Sequence, residues 1–219
     1  MGIIYYIYLL FIIIFLSILL RNSTKISGIK VRLYVQISLG IFFLRYIILM
    51  LFRISRGTSH LYVLRPIVFI NALGIIMLSL MYIYIFLKKN TMDFKYVYCF
   101  ALAFLGAYFT LIKFIVCPII YDINFGYVLD QTNANSIVYF SYLCTISFFL
   151  IVSLLFIDRK NIDTKNIFIF VSILVCVIIE NILFISNVRI LPYVMISDML
   201  FLVLLYYVIK RLIKSAKVN

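Results

Sequence analysis

A single histidine, His60, is all the imidazole in these 219 residues. A zinc centre therefore lacks its commonest ligand, and no cysteine stands at helical spacing from His60 to form a thiol peptidase pair. The four cysteines, Cys99, Cys117, Cys144 and Cys176, fall within or at the ends of apolar runs and form no CxxC. They read as small packing residues, with no disulfide or metal role. No GxSxG elbow and no phosphate loop is present, and the last apolar run carries no lysine for a Schiff base, so no enzyme, cofactor or metal is expected. Acids are scarce too, seven against twenty basic residues. Tryptophan is absent and glycine is held to seven, while Ile, Phe, Tyr, Lys and Asn are abundant. That bias fits AT-rich coding and carries no mechanism.

What remains is hydrophobic. Apolar residues make up 67% of the chain and mean hydropathy is +1.21, well outside the balance of a soluble domain. About 20 apolar residues make one helical crossing, and the polar breaks leave seven such runs, at about 2–20, 33–52, 67–87, 96–117, 138–157, 166–186 and 191–209. The expectation is one all-α domain, a polytopic membrane protein built as a seven-transmembrane-helix bundle. The net charge of +13 does not point to nucleic acid, because the cations punctuate apolar runs and form no solvated patch.

Those cations orient the chain. Arg21, Lys25, Lys30, Arg32, Lys88, Lys89, Lys95, Arg159, Lys160, Lys165, Lys210, Arg211, Lys214 and Lys217 fall after runs 1, 3, 5 and 7. The other side has only Arg53, Arg56, Arg65 and Arg189. By the positive-inside bias the N-terminus is outside and the C-terminus cytoplasmic, in a cell membrane. Pro66, Pro118 and Pro192 all lie at run ends on the outer side, where a proline starts or stops a helix at little cost. The first run has no basic segment before it and no small-residue cleavage site after it, so it is a retained helix.

The longest connection, 118–137, contains no lysine or arginine and must be external. Its Tyr121, Phe125 and Tyr127, mixed with Asp122, Asn124, Asp130, Gln131 and Asn133, suit a loop that folds back over the helix ends, either as a cap over an external cavity or as an interfacial aromatic anchor. His60, in the loop 53–65, reads as a solvated residue or as a pH sensor.

Few polar residues lie inside the runs. Arg45, Asn71, Glu180 and Asp198 each sit four to seven residues from the outer end of their helix, roughly 6 to 11 Å deep at the helical rise. Asn181 follows Glu180 directly. Lys113 is close enough to its helix end to snorkel. Charges at such depth face a bundle interior and find partners, and Arg45 with Glu180 or Asp198 is the natural pairing. Two acids against one deep arginine leave a carboxylate over. Arg45, Asn71, Glu180, Asn181 and Asp198 therefore form either an ion-pair layer that fixes helix register or a ligand-binding layer open to the outside.

The stretches VSILVCVIIENILFIS and LPYVMISDMLFLVLLYYVIKRL resemble the seven-transmembrane sensor segment at the N-terminus of many bacterial membrane histidine kinases. Asn181 and Asp198 match the Asn and Asp that the family carries on its last two helices. Val177 stands where the family often has proline, Met199-Leu200 where Thr-Pro tends to follow the Asp, and no kinase follows Ala216. The resemblance implies a sensor or receptor-like module that signals through a partner, in the membrane or the cytoplasm or as a second copy of itself. The basic tail and the 158–165 loop are the expected contact surfaces. A solute transporter built on repeated helix triplets and an immunity or assembly protein are the alternatives, although no internal match between runs 1–3 and 5–7 is evident.

Overall fold

The structure is a computed structural model that describes residues 2–55, 57–86, 93–112, 117–129, 136–157, 164–186, 188 and 191–218. The sequence-derived roles of Arg56, Lys88, Lys89, Lys113, Asp130, Gln131, Asn133, Arg159, Lys160 and Arg189 fall outside these residues. Among the described residues the regular elements are helices and one hairpin: α1 (Gly2–Ser23), α2 (Ile29–Ile54), α3 (Ser59–Leu64), a 3-10 turn (Arg65–Phe69), α4 (Asn71–Phe86), α5 (Phe94–Ile112), β1 (Ile119–Asp122), β2 (Gly126–Leu129), α6 (Ser136–Ile157), α7 (Thr164–Ile185) and α8 (Ile196–Val218).

Burial follows the sequence pattern. On α1 the buried residues Tyr5, Leu9, Ile12, Leu16, Leu19 and Ser23 recur every four or three positions, the inward stripe of a helix. Ile3, Ile7, Phe11, Ile14 and Ile18 stay exposed on the other side, an arrangement suited to lipid and not to water. α4 is different, because Leu73 to Ser79 are buried without a break. A helix buried all round belongs at the centre of a bundle, and α4 packs against α2, α5, α6, α7 and α8, while α1 lies on α2 and α8. Gly74 permits a close approach of α4 to α2. A Cβ there would lie 2.8 Å from Phe42 Cε2 of α2, so only hydrogen fits at that crossing.

Tyrosines tie the helices together. Tyr34 Oη donates to the Met77 carbonyl at 3.1 Å, Tyr82 Oη to the Phe201 carbonyl at 2.9 Å and Tyr8 Oη to the Met195 carbonyl at 3.0 Å. Each ring fills core volume while its hydroxyl finds an acceptor on a neighbouring segment, which is what allows so large a polar side chain inside an apolar bundle.

Six helical spans are long and apolar enough to cross a membrane: Gly2–Ser23, Ile29–Ile54, Ser59–Phe86, Phe94–Leu111, Val138–Ile157 and Thr164–Ile185. By length and composition the protein is a multi-pass membrane protein. α8 is not among them, since its uninterrupted apolar part is bounded by Asp198 and Lys210 and is shorter than the roughly 20 residues of a crossing.

Three expected boundaries change. The third run enters the helical region at Ser59, and Pro66, which has no N–H to give, sits in the 3-10 turn that joins α3 to α4. The last helix begins at Ile196 and not at 191, so Leu191 to Met195, with Pro192 among them, are non-helical. The 118–137 connection contains the antiparallel hairpin β1–β2, with Ile119 opposite Leu129 and Asp122 opposite Gly126. Its turn is closed by Asp122 Oδ1, which accepts from the Asn124 and Phe125 amides at 2.7 and 3.1 Å. Gly126, at a φ of 79°, makes the left-handed step that ends the turn.

That hairpin folds back over the helix ends. Phe125 meets Tyr5 edge to face at 5.4 Å, a Cβ on Gly126 would lie 3.2 Å from Arg53, and the Leu129 amide donates to Tyr193 Oη at 3.1 Å. Tyr121 and Ile123 point outward, 66% and 87% exposed. The loop therefore caps α1, α2 and the 191–195 segment with one face and keeps an apolar face free.

Candidate functional site

Among the largest buried side chains is Arg45 on α2, 2% exposed. A guanidinium buried in hydrocarbon must have its charge balanced and its N–H groups bonded. Nε donates to the Val68 carbonyl at 2.9 Å and Nη2 to the Val194 carbonyl at 3.0 Å, while Nη1 makes an ion pair with Asp198 Oδ2. Both carbonyls come from irregular backbone, the 3-10 turn and the 191–195 segment. Regular helices use up their own carbonyls, so the two interruptions next to Pro66 and Pro192 supply the acceptors.

Asp198, fully buried in the first turn of α8, also accepts from Tyr46 Oη at 2.8 Å and from Asn71 Nδ2 at 3.5 Å. Arg45, Asn71 and Asp198 are thus brought together as their depths predict, on α2, α4 and α8. Tyr46 belongs to the same cluster and was not foreseen. Adjacent residues on a helix do not share a face, so its position beside Arg45 in the sequence offered no signal.

Glu180 and Asn181 do not join this layer. The Glu180 carboxylate lies across the start of α8, where Oε1 accepts from the Met195 and Ile196 amides at 3.0 and 2.9 Å and Oε2 from the Ser197 amide at 2.6 Å. Ser197 Oγ donates to Oε2 as well. A carboxylate from α7 therefore caps α8 in trans, satisfying the orphan amides and facing the positive end of the helix dipole. The carboxylate left over by charge counting is balanced by backbone amides, a partner that composition does not register. Asn181 Nδ2 donates to the Val177 carbonyl of its own helix at 2.8 Å, and its Oδ1 has no hydrogen-bond partner among the described residues.

Together these contacts form a latch. Arg45 gathers the 3-10 turn, the 191–195 segment and α8, and Glu180 clamps the start of α8 to α7. A cavity of about 190 Å³ lies against it, walled by Cys176, Ile179, Leu183, Ile196 and Leu200 with Glu180 and Ser197 on one side. With both carboxylates saturated by partners within the protein, the latch itself offers no vacant coordination, and no cluster of His, Cys, Asp or Glu suited to a metal occurs among the described residues. His60 lies in α3 and is exposed.

What fold and site define is a multi-pass helical membrane protein whose last helix is fastened at its start by two carboxylates, the buried Asp198 and the half-buried Glu180. No protein-family model matches the chain, nor does any curated protein or solved structure.

Proposed function

We propose that this protein is a sensor or receptor-like module of a bacterial cell membrane that signals through a partner protein, with α8 as its output element and as a seventh crossing. The observation that carries the reading is how α8 is held. Its first turn is fixed by Asp198 to α2 and by Glu180 to α7, and from there it runs without interruption to a basic end that includes Lys210, Arg211 and Lys214. A helix held at one end by polar contacts and free of breaks moves as a rigid rod, so a change at the latch reaches the other end as translation or rotation. Asp198 is paired within the protein, so the crossing can take it in, beginning in the 191–195 segment before it and ending at Lys210. The N-terminus is then external, the hairpin is an external cap, and the basic end of α8 is cytoplasmic.

The latch supports signalling over transport, because its charges have no free position for a travelling solute. The test is site-specific photocrosslinking from Ile213 in cells, followed by identification of the captured protein. A histidine kinase or response regulator, captured in wild type and with an altered crosslink pattern in Arg45→Ala, is the expected result. Capture of neither, together with solute uptake that depends on this protein, overturns the reading.

A further inference from the structure

At Glu180 hydrogen bonding is complete and charge is not. Oε1 accepts from the Met195 and Ile196 amides, and Oε2 from the amide and the hydroxyl of Ser197. A carboxylate has about four acceptor positions, so none is left to offer. The amides balance only part of the charge, since a helix start supplies about half an elementary charge. Arg45 is spent on Asp198, and among the described residues no cation pairs with Glu180. Roughly half a negative charge therefore stays uncompensated.

That charge lies at a cavity. The space of about 190 Å³ between α7 and the start of α8 has Glu180 in its lining, half-buried where Asp198 is sealed in. Ile179, Leu183 and Ile196, which also line it, are exposed, so it opens on the outer surface of the bundle, the side that lipid covers. Phe184 and Tyr193 make part of the wall aromatic.

A charge in so apolar a place attracts a cation through a low dielectric, without contact. An ordinary ammonium fits badly, because it brings three N–H donors out of water and finds the acceptor positions of the carboxylate occupied. A metal ion fits no better, since it needs oxygen lone pairs to coordinate. A quaternary ammonium has neither requirement. It carries its charge behind methyl groups, donates nothing, and is drawn to aromatic walls by the ring quadrupole.

We propose that the cavity between α7 and α8 binds a small quaternary ammonium amphiphile, a trimethylammonium group on a short apolar or aromatic body, which enters from the bilayer and is held by the charge of Glu180. An apolar cavity of about 150 Å³ holds benzene, so this one has room for the head group, with the body extending past Ile179 into lipid. The site stands whether or not α8 carries a signal.

The probes are 4-fluorobenzyltrimethylammonium, its uncharged carbon isostere 1-fluoro-4-neopentylbenzene and 4-fluorobenzylamine. Binding is followed by fluorine NMR with the full chain in uncharged maltoside micelles, and empty micelles are the blank. The quaternary probe binds at least about tenfold more tightly than either of the others. Glu180→Gln keeps an acceptor for the α8 amides and removes the charge, so it brings the quaternary and uncharged probes to equal affinity. Ile179→Trp leaves the cap intact and fills the cavity from an exposed position, so it abolishes binding of the quaternary probe while thermal stability is kept. The three-probe comparison on the wild type and the Ile179→Trp variant decide the matter even where Glu180→Gln does not fold. Equal affinity for the quaternary and uncharged probes, binding of 4-fluorobenzylamine as tight as that of the quaternary probe, a preference that survives Glu180→Gln, or binding that survives Ile179→Trp overturns the proposal. The second of these would mean that the carboxylate still has an acceptor position to give, and the last that the probe sits elsewhere.

Discussion

At the scale of the residue, Arg45 decides more than any other side chain. Its guanidinium touches a carboxylate and two carbonyls from three segments, so its removal strips partners from all of them. Arg45→Ala is expected to lower stability in detergent by about 3 to 5 kcal/mol, the cost of leaving a buried charge unpaired. Adding Asp198→Asn should recover part of that loss, because the second change removes the orphaned charge. Thermal unfolding of the two variants and the wild type measures both effects, and equal stability of Arg45→Ala and wild type would refute the buried pair. Glu180→Ala is expected to cost less, about 0.5 to 2 kcal/mol, the range for losing a helix N-cap. The order of the two losses distinguishes an ion pair from a cap. Gly74→Ala should also destabilise, since the added methyl meets the Phe42 ring at 2.8 Å, and a compensating Phe42→Leu should relieve it.

At the scale of the element, the hairpin and α8 depend on local chemistry that tertiary contacts complete. The hairpin is only two short strands, marginal by itself in water, and holds because Asp122 closes its turn and Phe125 packs on Tyr5. Asp122→Ala is expected to speed hydrogen exchange of the amides in 119–129 while leaving the helices protected. Exchange that rises equally in α1 and α2 would mean the cap and bundle open as one unit. For α8, the start at Ile196 was not legible in the sequence, where the apolar run continues back to Leu191. Arg45 takes the Val194 carbonyl and Glu180 takes the Met195 and Ile196 amides, and backbone bonded in this way is not available to a further helical turn.

At the scale of the whole molecule, the number of crossings decides the topology. If α8 crosses, the termini lie on opposite sides; if only the six strongly apolar spans cross, they lie on the same side. A reporter fused after Val218 is expected to be cytoplasmic, and Ile123→Cys at the hairpin tip, in a background without the native cysteines, should react with a membrane-impermeant maleimide from outside. An external reporter at the C-terminus would reduce the count to an even number and remove α8 from its role as an output rod.

Composition and periodicity by themselves determined that this chain is helical, that it belongs in a membrane and where most of its helices lie. Those properties arise from transfer of side chains into hydrocarbon and from the repeat of the helix, both local and both additive along the sequence. The depth rule also placed Arg45, Asn71 and Asp198 in one layer, because rise per residue is constant. Which partner each charge takes was decided only in three dimensions. Arg45 chose Asp198, Glu180 chose the amides of α8, and Asn181 turned to its own helix, since hydrogen bonding is directional and depends on rotation about each helix axis, which no count of residues records. The same holds for Tyr46 and Tyr142: one phenol found a carboxylate and the other has no hydrogen-bond partner among the described residues, a difference set by what neighbouring helices bring to within three ångströms or so of each hydroxyl.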